Sequence, residues 1–186
     1  MIGRLPTSLT VEGKEYAIRT DFRDVLNIIA AYGDPELENE EKVYVCLYVL
    51  YEDFESMPQS AYEAAYKEAV RFIDCGMPSD GKKPSVRTMD WEQDEAIMFP
   101  AINKVAGCEV RSMAYLHWWT FMGYFMEINE GIFSHVLSIR HKKAKGKKLE
   151  KWEREFWQAN KDICVLRQKL TEEEQAAKDR LNALLN

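Results

Sequence analysis

Residues 115–128, YLHWWTFMGYFMEI, carry the feature that most limits how this chain can fold. Apolar and aromatic side chains occupy nearly every position, so a helix here has no solvent face and must be wrapped by other elements. With its flanks, the stretch 109–129 is expected as one long helix at the centre of the core, bearing Met113, Leu116, Trp118, Trp119, Phe121, Tyr124, Phe125 and Ile128. The run is too short to cross a bilayer, which takes about 20 residues. A mean hydropathy of −0.42 and a charged fraction of 30% also argue against a membrane protein. Met1-Ile2-Gly3-Arg4-Leu5-Pro6 lacks the apolar segment of a signal peptide, so the expected location is cytoplasmic.

Other segments supply the wrapping. Leu9-Thr10-Val11 and Tyr16-Ala17-Ile18 flank Glu12-Gly13. A two-residue turn there opposes Leu9 to Tyr16 and Val11 to Lys14, which predicts a hairpin over 8–19. A ribbon of two strands is marginal alone and needs a packing partner. Thr20 or Asp21 can cap a helix that ends at Gly33. Val43, Cys46, Leu47, Leu50, Tyr51 and Phe54 follow helical spacing. Because Tyr44, Val45, Tyr48 and Val49 are apolar too, this run reads as a helix buried on all sides in preference to a strand. Residues 60–74 form an amphipathic helix with a Ser60/Glu63 capping box, and 77–88 form a loop. A helix capped by Asp90 carries Trp91, Met98, Ile102 and Val105, kinks at Pro100 and ends at Gly107. A short helix is expected over 132–140, then a basic loop. A helix from about Leu149 aligns Trp152, Phe156, Ile163 and Leu170 on one side. Thr171 and Glu174 form a second capping box, followed by Leu181, Leu184 and Leu185. The whole is a mainly α, bundle-like single domain over 1–170 with a small N-terminal hairpin. Loop 77–88 lies between two sub-halves, and residues 171–186 form a loosely attached C-terminal helix.

No constellation selects a chemistry. Cys46, Cys75, Cys108 and Cys164 are widely spaced and read as buried thiols. Asp90, Glu92, Asp94 and Glu95 could suggest a metal or acid–base site. Capping and solvated charge at a helix N-terminus account for them more simply. His117, between Leu116 and Trp118, reads as a satisfied core or edge histidine. Lys145-Gly146-Lys147-Lys148 is not a phosphate-binding loop. No cofactor or metal is called for, and no catalytic residue is assigned.

Two features point to partners instead. Arg140, Lys142, Lys143, Lys145, Lys147 and Lys148 form the densest single-sign cluster, although the chain as a whole carries a net charge of −6. The cluster can be a solvated loop, a nucleic-acid patch or a dock for an acidic protein. The absence of interleaved aromatics favours protein over nucleic acid. Trp118 and Trp119 are adjacent and so point in different directions on a helix. At least one needs a second packing surface or a partner, and with Met122 and Tyr124 they form a candidate partner-binding patch.

Residues 11–16, VEGKEY, leading into a helix after Thr20-Asp21-Phe22, resemble the start of many phage tail-assembly chaperones. The segments DWEQDEAIMFPAINKV (90–105), YLHWWTFMGYFMEI (115–128) and SIRHKKAKGKKLEKWEREFW (138–157) resemble the bacteriophage "gene product fifteen" family of siphophages and prophages of Gram-positive hosts. The resemblance implies a non-enzymatic role beside the tape-measure protein in the host cytoplasm during assembly. It also leaves open other tail proteins as partners. Two further readings stand beside it: a structural tail or connector component kept in the virion, and a small nucleic-acid-binding regulator using 140–148. A helix-holding chaperone is expected to show an exposed apolar groove with charges at its rim, and to self-associate when its partner is absent.

Overall fold

In the computed structural model, residues 3–78 and 86–185 are described; of the loop expected over 77–88, residues 79–85 lie outside them. The chain opens with strands β1 (Ser8–Val11) and β2 (Lys14–Ala17), paired antiparallel with Leu9 opposite Tyr16 and Val11 opposite Lys14. Glu12 (φ 50°) and Gly13 (φ 83°) both take the left-handed conformation that such a tight turn requires. Val11, Tyr16 and Ile18 are buried, and β1 rests on a helix from the next part of the chain.

Nine α-helices follow among the described residues. Helix α1 (Phe22–Tyr32) is capped by Asp21, whose carboxylate accepts from Arg23 N, and ends at Gly33. Helix α2 (Asn39–Leu50) packs on α1, and α3 (Tyr62–Ile73) packs on α2 and β1. After the undescribed stretch come α4 (Glu95–Ala106) and α5 (Trp118–Met126), then α6 (Gly131–Ala144). The chain closes with α7 (Lys151–Ala159), the single turn α8 (Lys161–Cys164) and α9 (Glu172–Leu185). The molecule is thus mainly helical with a two-stranded N-terminal hairpin, as the sequence pattern indicates.

The core gathers where α1, α4 and α5 meet. Phe22 stacks on Phe121 at 4.6 Å, Phe99 lies 6.1 Å from Phe121, and Trp118 lies 5.7 Å from it. All four rings are buried.

Several boundaries differ from the periodicity, each for a tertiary reason. Of the expected helix over 109–129 only Trp118–Met126 is α-helical, with a separate 3₁₀ turn at Val110–Ser112. Upstream, Leu116 O accepts from Phe22 N, Trp118 N donates to Thr20 O, and Leu116 N donates to the Asp21 carboxylate. Those backbone groups are spent on the N-terminal segment, so the helix starts one residue after His117. Helix α4 starts a turn later than expected, because Asp90 caps a separate turn through Glu92 N and Gln93 N. Pro100 stays inside α4. No Ser60 capping box forms: residues 59–61 are a 3₁₀ turn and Glu63 pairs with Lys67. The one following Thr171 does form, with Glu174 N on Thr171 Oγ1 and Thr171 N on Glu174 Oε2. Helix α2 is not buried all round, since Tyr44 and Tyr48 are exposed. Helix α6 runs through the first basic residues to Ala144, so 140–144 is not loop. The helix expected from Leu149 breaks after Ala159, and Ile163 and Leu170 do not share a face with Trp152. Of the cysteines, Cys46 and Cys164 are buried, Cys75 is half-buried and Cys108 is exposed, so the reading of four buried thiols holds for two.

One polar contact ties the second half together. Arg140 is buried, and its Nη1 and Nη2 donate to both oxygens of the equally buried Asp94 at 2.7 and 2.8 Å. Nη1 also donates to Thr88 O, Nη2 to Ile163 O and Nε to Cys164 O. Asp94 accepts further from Asp90 N. Removing one partner of such a pair strands a buried charge, whereas replacing both with apolar groups does not. Arg140→Met should therefore cost about 3–5 kcal/mol of unfolding free energy by urea titration. Adding Asp94→Leu should recover most of that loss. A single-variant cost under about 1 kcal/mol would contradict the assignment.

Candidate functional site: a groove between α1 and α4

Asp94 and Arg140 set the height of the segment 89–94, and with it one wall of a surface groove. The other wall is α1. A cavity of about 320 Å³ is lined by Phe22, Leu26, Trp91 and Phe99, with Arg23, Glu95 and Arg111 at its edge. A second, of about 340 Å³, is lined by Ile29, Gly33, Met89 and Lys169. The two share Ala30, Trp91 and Glu92, so they run into one another along α1. The 11 residues of α1 give the groove a length of about 16 Å, roughly three helical turns.

The floor is apolar because α1 turns its helical stripe two ways. Phe22, Val25 and Ile28 go to the core, while Leu26, Ile29 and Ala30 are only half-buried beside it. Trp91 stands against Phe125 at 5.0 Å and Trp118 at 6.2 Å, which fixes its ring as wall.

The rim charges are held by side chains rather than left to wander. Arg23 donates to Asp21 and to Met113 O and Arg111 O, and its guanidinium lies 4.5 Å over the Phe22 ring. Arg111 lies 4.8 Å over Phe99 and forms a forked pair with Glu109, each contact 2.8 Å, with Glu95 at 3.8 Å. Glu109 also accepts from Arg111 N and Asn103 Nδ2. Its bonds to Arg111 chiefly, then to the Arg111 backbone and Asn103, hold its carboxyl down to about 2, from 4.5. At the far end Lys169 pairs with Glu92, and Gln93 ties the 165–167 segment through Val165 O and Arg167 N.

The residues expected as a partner patch fall into two groups, one on α5 and one at the end of α6 and the turn after it. Trp118 is core. Its indole donates to Ile73 O at 2.8 Å, and that of Trp119 donates to Phe72 O at 2.9 Å. Although adjacent, both indoles satisfy carbonyls at the end of α3, which answers the need for a second packing surface. Trp119, Met122 and Tyr124 are half-buried against the core. Arg140 is internal for the reason given above, and Lys142 donates to the buried Glu153 at 2.6 Å. Lys143, Lys145, Lys147 and Lys148 alone remain on the surface, with Lys143 lying 4.2 Å over the Trp157 ring. Spacing within the basic run could not separate these two groups, because the acids that internalise Arg140 and Lys142 come from α4 and α7. The groove itself was missed. Its only sequence signal is that the apolar stripe of α1 is wider than one contact surface needs.

His117 is buried and caps α5. Its Nδ1 accepts from Trp119 N, so Nε2–H donates to Pro6 O. Asp94 and Asp90 are engaged by backbone and arginine, and no group of three His, Cys, Asp or Glu side chains converges on a metal-sized space among the described residues. No helix among them is long and apolar enough to cross a membrane.

The described residues thus form a helical body that carries an apolar groove with ion-paired charges at its rim. The chain matches the family model described as "Bacteriophage Gp15 protein" over residues 1–166 and belongs to that family of phage proteins, which is not known as an enzyme family. No curated protein and no solved structure matches it.

The Glu109–Arg111 fork gives the rim a signature in pH. A carboxyl with a lowered folded-state value stabilises the fold above its unfolded value and loses that contribution as pH falls. Glu109→Gln should lower Tm at neutral pH, and the gap to wild type should close as pH drops from 4.5 toward 2. A gap that stays constant across this range would mean that the fork does not form.

Proposed function

We propose that this chain is a non-enzymatic tail-assembly chaperone that holds amphipathic helices of the phage tape-measure protein in the α1–α4 groove. The observation that carries the reading is the groove: an apolar lining of Leu26, Trp91 and Phe99 beside the roughly three turns of α1, with charges on both sides. An amphipathic helix buries its stripe in such a floor through anchors at i, i+3, i+4 and i+7, while rim charges set register and encounter rate. Family membership supports a phage role. The resemblance of segments 90–105 and 115–128 supports the tail cluster, and segment 90–105 supplies one of the groove walls. On this reading the protein works in the host cytoplasm while tails are built.

The nucleic-acid reading loses support from the same geometry, since Arg140 is internal and Lys142 is half-buried against Glu153.

Co-expression with the tape-measure protein of the same gene cluster tests the proposal. The expected result is stable co-purification that keeps the tape measure soluble. Leu26→Glu, checked for an unchanged helical spectrum, should reduce recovery at least tenfold. Undiminished capture by Leu26→Glu would remove the groove from the account. No capture, with the protein found in purified virions, would replace the chaperone with a structural tail component.

A further inference from the structure

Two exposed faces of the molecule carry opposite charge and exposed aromatics. The first is the outer side of α2 and the turn after it. Tyr44 and Tyr48 are 54% and 53% exposed, and their rings stack at 6.1 Å with an interplanar angle of 11°. Phe54 stands edge-on to both, at 5.3 and 6.2 Å. Residues 34–55 include eight acidic side chains and one basic, Lys42. Beside Tyr48 opens a cavity of about 420 Å³ whose lining includes Asp24, Glu52, Asp53 and Glu55. Its one basic lining residue, Arg19, is committed elsewhere: Nη1 donates to Tyr48 O, Val49 O and Tyr51 O at the end of α2. The cavity is therefore acidic, aromatic-walled and open, the environment that suits an ammonium group.

The second face is the end of α6, the turn after it and α7. Lys145, Lys147 and Lys148 are exposed and form no ion pair among the described residues. Trp152 is 50% exposed, with its ring 5.5 Å from His135. The face thus offers lysines flanked by an aromatic anchor. Helix α2 packs on α1 and α3, whereas α6 packs on α4 and α8, so the two faces sit on different parts of the body.

We infer that these faces bind each other between copies: the lysine turn at 145–148 of one copy seats on the acidic, tyrosine-lined face of α2 in the next. A second copy is the occupant because one chain carries both complementary halves. Lysine on a tyrosine ring beside carboxylates combines cation–π and ionic attraction, and both tyrosines and the tryptophan lose solvent exposure. Each copy uses both faces, so the contact either closes reciprocally between two copies or continues into a ring or a filament. The acidic cavity borders the α1–α4 groove at Asn27 but shares none of Leu26, Trp91 and Phe99 with it, and the contact stands independently of what that groove holds.

Sedimentation velocity across the micromolar range is the test. At about 50 mM salt the average mass should rise with protein concentration, and at about 500 mM, where exposed charges are screened, it should return to monomer. Lys145→Glu/Lys147→Glu/Lys148→Glu should stay monomeric, and so should Glu52→Lys/Asp53→Lys/Glu55→Lys, each with an unchanged helical spectrum. Mixing these two variants should restore association, because each supplies the face that the other has lost. Wild-type protein that stays monomeric at low salt would overturn the proposal, as would two variants that do not associate when mixed. So would a free lysine-rich peptide that binds the α2 face of a chain showing no self-association, which would point to a foreign basic partner.

Discussion

A single guanidinium, Arg140, holds the second half of the chain together. It meets Asp94 through two hydrogen bonds and spends its remaining donors on the carbonyls of Thr88, Ile163 and Cys164, so no buried nitrogen is left without a partner. A buried pair of this kind adds little net stability over well-packed apolar side chains, because desolvating two charges offsets most of their attraction. What it supplies here is one geometry: the start of α4, the middle of α6 and the short turn α8 can meet in only one way that satisfies all five bonds. From that junction the segment 165–169 is led back across Gln93 and Glu92, and the 89–94 segment becomes a firm wall.

The groove follows from that wall and from α1. Helix α1 is itself set by Asp21, whose carboxylate caps it and also receives Leu116 N, joining the N-terminal segment to the start of α5. Two aspartates at helix starts, Asp21 and Asp94, thus position the two sides of the same groove. The aromatic stack of Phe22, Phe99 and Phe121 lies beneath it and keeps the floor from collapsing. Function on this account needs no catalytic group, only an apolar floor and rim charges held in ion pairs.

Much of the fold was legible in the chain, and the reasons for the rest are specific. Local signals survived where the partners are close in sequence: the Glu12-Gly13 turn, the Asp21 cap, the Gly33 stop and the Thr171/Glu174 box. Signals failed where a distant group claimed the backbone. The apolar rhythm runs on upstream of Trp118, but Asp21 and Phe22 take the amide and carbonyl of Leu116, Thr20 takes Trp118 N, and Asn103 and Glu109 take the amides of Val110 and Arg111. The basic run 140–148 looks uniform, yet α4 and α7 reach in for Arg140 and Lys142 and leave the later lysines outside. Trp118 and Trp119 read as two directions and turned out to serve one helix end. A groove is harder still, since it is made of the space between a stripe on α1 and a loop 60 residues further on, and neither shows its neighbour in the sequence.

The central claim is that α1 and α4 hold the partner helix. Amide hydrogen exchange of the purified complex with the tape-measure protein, compared with the free chain, tests it most directly. The account predicts new protection concentrated in residues 22–33 and 89–99, with α7 unchanged. Protection confined to α6 and α7, with α1 exchanging as in the free protein, would contradict it.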